Sequence, residues 1–329
     1  MNYKKYALVD LHLHLDGSLS AEAILKVAKE ENIKLPAYTV EELNPYLIVP
    51  EDCPSLEEYL KRFDLPNLAL QTKFGIKTCT LDLLKRLSEQ GLKYVEVRMA
   101  PQLSCDKGLT QEEVVETLIE ALTEGEKFGI YTNLILCMMR GENTHENNLK
   151  TVEVAKNFLG SKVVALDLAG AEALFPNTMF DKEFKLANKY GIPLTIHCGE
   201  ADGGNSVLTA LNYNPVRIGH GIHCNESEEA MNILEKRGIC LEICPKSNLD
   251  TKSVLSLKEI PIRQFMKHGI KVSINTDDDT CSNTTLEKEY KSLADIGYNE
   301  KELQEFARNS IEASFASRKI KDEILGLIK

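Results

Sequence analysis

Eight short apolar runs, rich in Val, Ile and Leu, recur along this 329-residue chain with amphipathic stretches between them. Nearly all of them end in a polar or glycine-containing cluster. Continuous hydrophobicity of this kind is typical of strands buried on both faces, as in a parallel sheet covered by helices. The predicted strands are Ala7–His14, Tyr94–Pro101, Thr132–Arg140, Val163–Gly170, Pro193–Glu200, Arg217–His223, Ile239–Ser247 and Lys271–Asp278. Eight alternating β and α units predict an α/β fold of the (β/α)8, or TIM, barrel type.

Between the first and second predicted strands, residues 33–90 are far longer than an ordinary βα connection and are rich in proline. We interpret this segment as an inserted helical lid. Helices after about residue 284 are expected to pack on the outside of the barrel. Because no linker-like tract or internal repeat divides the chain, we expect a single domain over residues 1–329.

Composition limits the partners that this chain can have. The net charge of −11 disfavours nucleic acid and anionic membranes, both of which attract basic surfaces. No run approaches the roughly 20 apolar residues of a membrane span, and no signal-peptide pattern precedes the first strand. The nine cysteines are an odd number without a C-x-x-C pair, which is typical of reduced thiols. The sequence therefore predicts a cytoplasmic protein, and it indicates no obligate protein partner.

The histidines with the strongest pattern lie at the C-terminal ends of predicted strands, where barrel enzymes build their sites. His12 and His14 are two residues apart, so both imidazoles point to one face of the first strand. Taken alone, the pair could equally be structural, hydrogen-bonded to carbonyls or carboxylates. His197 ends the fifth strand, and the aspartates 277–279 end the eighth. Three adjacent acids would repel one another unless a cation or a substrate offset their charge, although a plain acidic loop is the alternative.

Imidazole nitrogens with a carboxylate oxygen suit Zn²⁺, while Fe, Mn and Co accept similar ligands. The cysteines are not needed for such a site. Cys198 follows His197 on a strand and should point to the opposite face, which favours a structural role.

Six motifs follow one another along nearly the whole chain. They are DLHLHLDG at Asp10–Gly17, LDLAG at Leu166–Gly170, HCGE at His197–Glu200, RIGHG at Arg217–Gly221, CPKSN at Cys244–Asn248 and NTDD at Asn275–Asp278. In sequence and in order they resemble the motifs of the adenosine deaminase family, within the metal-dependent amidohydrolases.

This resemblance implies one zinc ion per chain and a set of catalytic groups. The implied zinc ligands are His12, His14, His197 and Asp277, with a water as fifth ligand. Glu200 would protonate the purine ring nitrogen next to the reacting carbon. His220 would orient the attacking water and help to deprotonate it. Asp278 would hold both that water and the N7 edge of the purine.

The resemblance also implies how the substrate is held. The Gly170 N–H would meet the ring N3, Asp16 would accept a ribose hydroxyl, and His14 and Asp278 would line the same pocket. Ser55–Phe63 is similar to the helix that closes over the nucleoside, and Met139 would line the pocket wall. The apolar contacts expected from that helix are Leu56, Tyr59, Leu60 and Phe63, which fall on one helical face. Ordinary packing on the barrel rim is the alternative for each of them.

Three positions depart from the family pattern. Cys198 stands where many relatives have Ala, Ala171 where an Asp is common, and Asp279 where some have Pro. None removes an implied role, but they leave the fine substrate preference open.

The expected function is zinc-dependent hydrolytic deamination of adenosine and 2′-deoxyadenosine, and the expected partner is a small-molecule purine nucleoside. The first alternative is a deaminase of adenine, a nucleotide or another 6-substituted purine. The second is a metal-binding protein without catalysis, against which Glu200 and His220 argue because neither is an implied ligand. Asp16 should repel a 5′-phosphate, whereas Lys61 and Arg62 would have to turn inward to receive one. We interpret that pair as solvated surface charges.

Overall fold

The computed structural model describes residues 3–328, and within them all eight predicted strands are present. Several are shorter than predicted because their polar C-terminal residues belong to the following loops. The strands are β1 Val9–His14, β2 Tyr94–Met99, β3 Tyr131–Met139, β4 Val163–Ala169, β5 Thr195–Cys198, β6 Arg217–His220, β7 Cys240–Ile243 and β8 Lys271–Ile274.

The strands pair in parallel and in sequence order, β1 to β4 in one sheet and β5 to β8 in the other. Isolated parallel bridges join the edges of the two sheets. Leu166 of β4 pairs with Leu194, just before β5, and Leu13 of β1 pairs with Asp277, just after β8. The strand order is therefore cyclic, and the fold is the predicted (β/α)8 barrel.

Helices follow the strands, and most of them cover the outside of the barrel. They are α1 Ala21–Glu31, α2 Val40–Leu47, α3 Leu56–Leu60, α4 Asp64–Ala69, α5 Lys73–Gln90, α6 Gln111–Gly125, α7 His145–Phe158, α8 Asp181–Lys189, α9 Gly204–Leu211, α10 Glu228–Arg237, α11 Pro245–Asp250, α12 Ile262–His268, α13 Leu286–Asp295, α14 Glu300–Ala313 and α15 Arg318–Leu325. No helix within residues 3–328 has both the length and the apolar character that a membrane span requires.

Local sequence determines where these helices begin. In front of α6, Thr110 Oγ1 accepts the Glu113 N–H at 3.2 Å, and Glu113 Oε2 accepts the Thr110 N–H at 3.0 Å. This reciprocal capping box satisfies two amides that the helix itself leaves unpaired. Ser20 caps α1 by accepting the Ala23 N–H at 3.1 Å. Each cap of this kind contributes about 1 kcal/mol to stability.

Residues 33–90, the segment predicted to be a lid, form helices α2 to α5, and these helices have different positions in the fold. α5 packs into the main core through Ile76, Leu83 and Leu87 and belongs to the outer helical layer. α3 continues through a 3₁₀ turn, Lys61–Phe63, into α4, and it lies over the C-terminal ends of the strands. The lid proper is therefore the short α3 to α4 segment.

Candidate active site

A cavity of about 370 Å³ opens at the C-terminal ends of the strands. Among the residues predicted to form the site, His12 alone lies outside its wall, with its Nε2 2.9 Å from His197 Nε2. Those in the wall are His14, Asp16, Leu56, Tyr59, Leu60, Phe63, Met139, Gly170, His197, Glu200, His220, Asp277 and Asp278.

Three imidazoles and one carboxylate converge at the bottom of this cavity. His197 Nε2 lies 2.9 Å from His12 Nε2 and 3.2 Å from His14 Nε2. Asp277 Oδ1 is 3.2 Å from His12 Nε2 and 3.4 Å from His14 Nε2. All four ligand atoms lie within 4.8 Å of one another, so these side chains can hold one metal ion.

The backbone fixes Asp277 against the first strand. Its carbonyl accepts the His14 N–H at 2.7 Å, and its own N–H donates to the His12 carbonyl at 2.8 Å. Asp277 and His220 both adopt positive φ, 66° and 58°, which is unfavourable for residues with a side chain. Such strain persists where surrounding contacts over-determine the conformation, as commonly occurs at functional sites.

Carboxylates beneath the cavity orient two of the imidazoles. Glu242 Oε2 lies 2.9 Å from His12 Nδ1, and Asp167 Oδ2 lies 2.7 Å from His197 Nδ1. Their position directs both Nε2 atoms into the cluster, an arrangement common behind metal-binding histidines. Arg98 donates to both carboxylates, reaching Asp167 Oδ2 at 2.8 Å.

These buried ion pairs extend further through Arg217, which donates to both Glu242 and Glu96. This network of buried charges was not predicted from the sequence. The signal that could have found them is the presence of ionisable side chains inside strands that are otherwise apolar, because a fully buried charge requires an opposite charge.

Burial keeps most of the imidazoles uncharged. It lowers the pKa of His14 to about 3 and also lowers the pKa of His197 and of His220. Burial alone would favour the neutral form of Asp277, but His12 lowers its pKa well below the ordinary value. Neutral imidazole nitrogens beside an ionised carboxylate are the forms that bind a metal.

The pKa of Glu200 is shifted in the direction opposite to that of Asp277. Burial raises its pKa to about 8, and the charges of Asp277 and Glu172 add to this effect. Its Oε1 accepts the Thr251 hydroxyl at 3.1 Å, and its Oε2 is 3.6 Å from His220 Nε2. Near neutral pH this side chain is therefore a carboxylic acid that can donate a proton inside the cavity.

His220 is held from the side opposite Glu200. Asn248 Nδ2 lies 2.9 Å from His220 Nδ1, so the other ring nitrogen faces Glu200 and Asp277. Ser247, the neighbour of Asn248, donates its hydroxyl to Asp277 Oδ2 at 2.6 Å. Two adjacent side chains of the CPKSN motif thus hold two residues of the site: Ser247 contacts Asp277, and Asn248 contacts His220.

Tyr59 differs from the apolar contact expected of the lid. Its hydroxyl donates to Asp278 Oδ2 at 2.8 Å and lies 2.8 Å from Ser282 Oγ. Asp278 Oδ1 is buried without a hydrogen-bond partner among the described residues and packs against Gly17. A Cβ at Gly17 would lie 1.7 Å from that oxygen, so only glycine fits there.

Asp16 also lies in the cavity wall, where it is buried and has its Oδ1 unpaired within the described part of the chain. Burial raises its pKa to about 6. Lys61 pairs with Glu58 on the surface, and neither it nor Arg62 is in the cavity wall.

Comparisons with known proteins agree with this geometry. The adenosine deaminase family profile matches residues 7–329. An adenosine deaminase of Haemophilus ducreyi is 43% identical over 331 residues, covering 99% of this chain and 96% of that protein.

Two solved structures share the fold. An adenine deaminase from Arthrobacter aurescens superposes with a TM-score of 0.89 at 26% identity, covering 98% of each chain. An N6-mAMP deaminase from Arabidopsis superposes with a TM-score of 0.86 at 26% identity, covering 100% of this chain and 99% of that one. From the match over residues 7–329 and the identity along the whole chain, this protein belongs to the adenosine deaminase family.

Proposed function

We propose that this chain hydrolyses adenosine and 2′-deoxyadenosine to inosine and 2′-deoxyinosine, with release of ammonia. The observation that carries the proposal is that one cavity brings together a group able to hold a metal and Glu200, whose pKa is raised to about 8 by burial. The 43% identity with an adenosine deaminase over 99% of the chain supports adenosine as the substrate.

The proposed cofactor is one Zn²⁺ held by His12, His14, His197 and Asp277. Three imidazole nitrogens and one carboxylate oxygen suit zinc, and the carboxylates behind His12 and His197 fix the nitrogens that face the cluster. When bound, zinc lowers the pKa of water from ~15.7 to ~7 and so supplies the nucleophile.

The remaining steps fall to groups of the chain itself. Glu200 donates its proton to the purine N1, which makes C6 susceptible to attack. With the Asn248 amide turned so that its Oδ1 accepts the Nδ1–H of His220, His220 Nε2 accepts a proton from the water and returns one to the departing amine. The C6–O bond forms, the C6–N bond breaks, and Glu200 recovers its proton from the new C6 hydroxyl. One proton of the water ends in ammonia, and the other ends on Glu200, where it replaces the proton given to N1.

Substrate orientation is proposed for the other residues of the cavity. Asp278 holds the N7 edge, the Gly170 N–H meets N3, and Asp16 accepts the 5′-hydroxyl. His14 lines the same region. The apolar wall formed by the lid and Met139 excludes water from the purine; its lid members are Leu56, Leu60 and Phe63 together with the ring of Tyr59.

Residues 1–329 are proposed to act as one domain without an obligate protein partner. The nine cysteines are all unpaired, which supports a reducing compartment such as the cytoplasm.

A deaminase of adenine or of a nucleotide is the second candidate, because such enzymes share the fold. The charges around the cavity favour the nucleoside. Its wall contains no lysine within the described residues, and its one arginine, Arg140, uses both terminal nitrogens in contacts with the protein. Arg140 donates to the Phe175 carbonyl at 2.6 Å, to Asn177 Oδ1 at 2.7 Å and to the His197 carbonyl at 2.5 Å.

We expect kcat/KM for adenosine to exceed that for AMP, adenine and 6-methylamino-AMP by at least ~10-fold. A 5′-phosphate would approach Asp16 without a free cation to offset its charge, and adenine would lack the ribose that Asp16 holds. The measurement follows the absorbance change from amino- to oxo-purine for the four compounds under identical conditions. Preference for AMP or its methylated form would refute the nucleoside assignment, and turnover of none of them would refute the proposed function.

A further inference from the structure

Glu172, a residue that the proposed chemistry does not use, has an unusually complete set of hydrogen bonds. It follows β4 by three residues and is 2% exposed. Its Oε1 accepts the Gly199 N–H at 2.6 Å and the Ser206 hydroxyl at 2.5 Å. Its Oε2 accepts the N–H groups of Glu200 at 3.0 Å, Ala201 at 2.9 Å and Asp202 at 3.3 Å.

Four successive backbone amides therefore point at one carboxylate. These amides are residues 199–202, the loop between β5 and α9 that carries Glu200. Successive N–H groups form a concave anion site when their backbone curves around it, and Gly199 provides the curvature through its φ of 64°. The anion in this loop is a side chain of the protein, so the loop conformation depends on Glu172.

The side chain of Glu200 has little else to hold it. Among the described residues its only hydrogen bond is from the Thr251 hydroxyl. Its main chain is consequently the main determinant of where the carboxyl group lies. A displacement of about 1 Å at a reacting group can cost as much as ~10²-fold in rate.

Glu172 also connects two loops that face the substrate. It lies two residues after Gly170, whose backbone lines the cavity, and it binds the loop of Glu200. Asn177 extends the connection, since its Nδ2 donates to the Ser206 carbonyl at 2.9 Å while its Oδ1 accepts from Arg140 at 2.7 Å. The loops after β4 and β5 are thus held as one unit.

We propose that Glu172 is a positioning residue for Glu200, acting through the backbone of residues 199–202 and without touching the substrate. This inference rests on the proposed role of Glu200 as proton donor. It predicts that loss of the Glu172 carboxylate harms the proton-transfer step and leaves metal binding and ground-state binding largely intact.

The test is a double-mutant cycle with Glu172→Gln and Glu200→Gln, measured on the metal-loaded protein with adenosine. Glutamine keeps the size of the side chain but turns one acceptor into a donor facing amide or hydroxyl groups. We expect kcat to fall about 10- to 100-fold, with KM within about threefold and metal content unchanged. In the Glu200→Gln background the same change should cost less than about twofold, because the group that it positions is gone.

Two further variants guard against a loss caused by misfolding. Ser206→Ala removes one of the five donors and should lower kcat a few-fold, again only where Glu200 is present. Glu183→Gln removes a buried carboxylate that faces His145, away from the cavity, and should leave kcat unchanged.

Equal losses in both backgrounds, or a wild-type kcat in Glu172→Gln, would overturn the positioning role. If Glu200→Gln alone retains full activity, the proposed function of Glu200 fails instead, so the two failures are distinguishable.

Discussion

Replacing Glu200 with Gln should lower kcat for adenosine by about 10²- to 10⁴-fold while the metal content stays at the wild-type level. Glutamine keeps the shape and can still accept the Thr251 hydroxyl, but it has no acidic proton to give to N1. The residue is not in the group that can hold the metal, so the ion should remain. Metal content by atomic absorption and turnover by ultraviolet absorbance give the two readouts.

The pH profile provides a control within the same experiment. Because the pKa of Glu200 is raised to about 8, its acid form predominates below that pH and is lost above it. Wild-type activity should therefore decline as pH rises through about 8, and Glu200→Gln should lack this decline. Near-normal turnover in the variant, or loss of its metal, would show that Glu200 does not act as the proton donor.

Replacing His14 with Ala should remove most of the bound metal and, with it, nearly all deamination. Three of the four groups would remain, with His197 and Asp277 no longer bridged by the ring of His14. An incomplete shell binds its metal less tightly, and loss of the ion removes the source of the nucleophile. The measurement is zinc per chain after dialysis, with adenosine turnover before and after zinc is added back.

A suitable control is His268→Ala, because His268 lies on the outer helix α12 and contacts Asn232 on the surface. It should keep both zinc and activity. A His14→Ala protein that retained full zinc and full turnover would contradict the proposed ligand set.

The features that could be predicted from the sequence were those with a local signature. Strands buried on both faces produce continuous apolar runs, so all eight were recognised, although β5 is only Thr195–Cys198 and the prediction extended it to Pro193–Glu200. The H-x-H pair lies on one strand, so its shared direction follows from the two-residue period.

The contacts that could not be predicted join residues far apart along the chain. Nothing local to Tyr59 indicates that its hydroxyl meets Asp278, since that contact depends on how α3 folds back over the barrel. The pairing of Glu172 with the loop of Glu200 likewise depends on neighbouring strands bringing two loops together. Arg98, Asp167 and Glu242 are each recognisable as a charge in a buried strand, but their pairing is not, because they lie on three different strands.

The contact between β1 and the segment just after β8, here called the seam, determines when the site can form during folding. His12 and His14 lie on the first strand, whereas Asp277 follows the last, and the amide contacts between them close almost the entire chain into a ring. Contacts of such long range are entropically costly to form early, so a half-formed barrel has no complete ligand set. A metal ion bound across the seam would join the first strand to the segment after the last one. The bound metal would therefore lower the unfolding rate more than it raises the folding rate. The residues that bind the metal would in this way also increase the kinetic stability of the barrel.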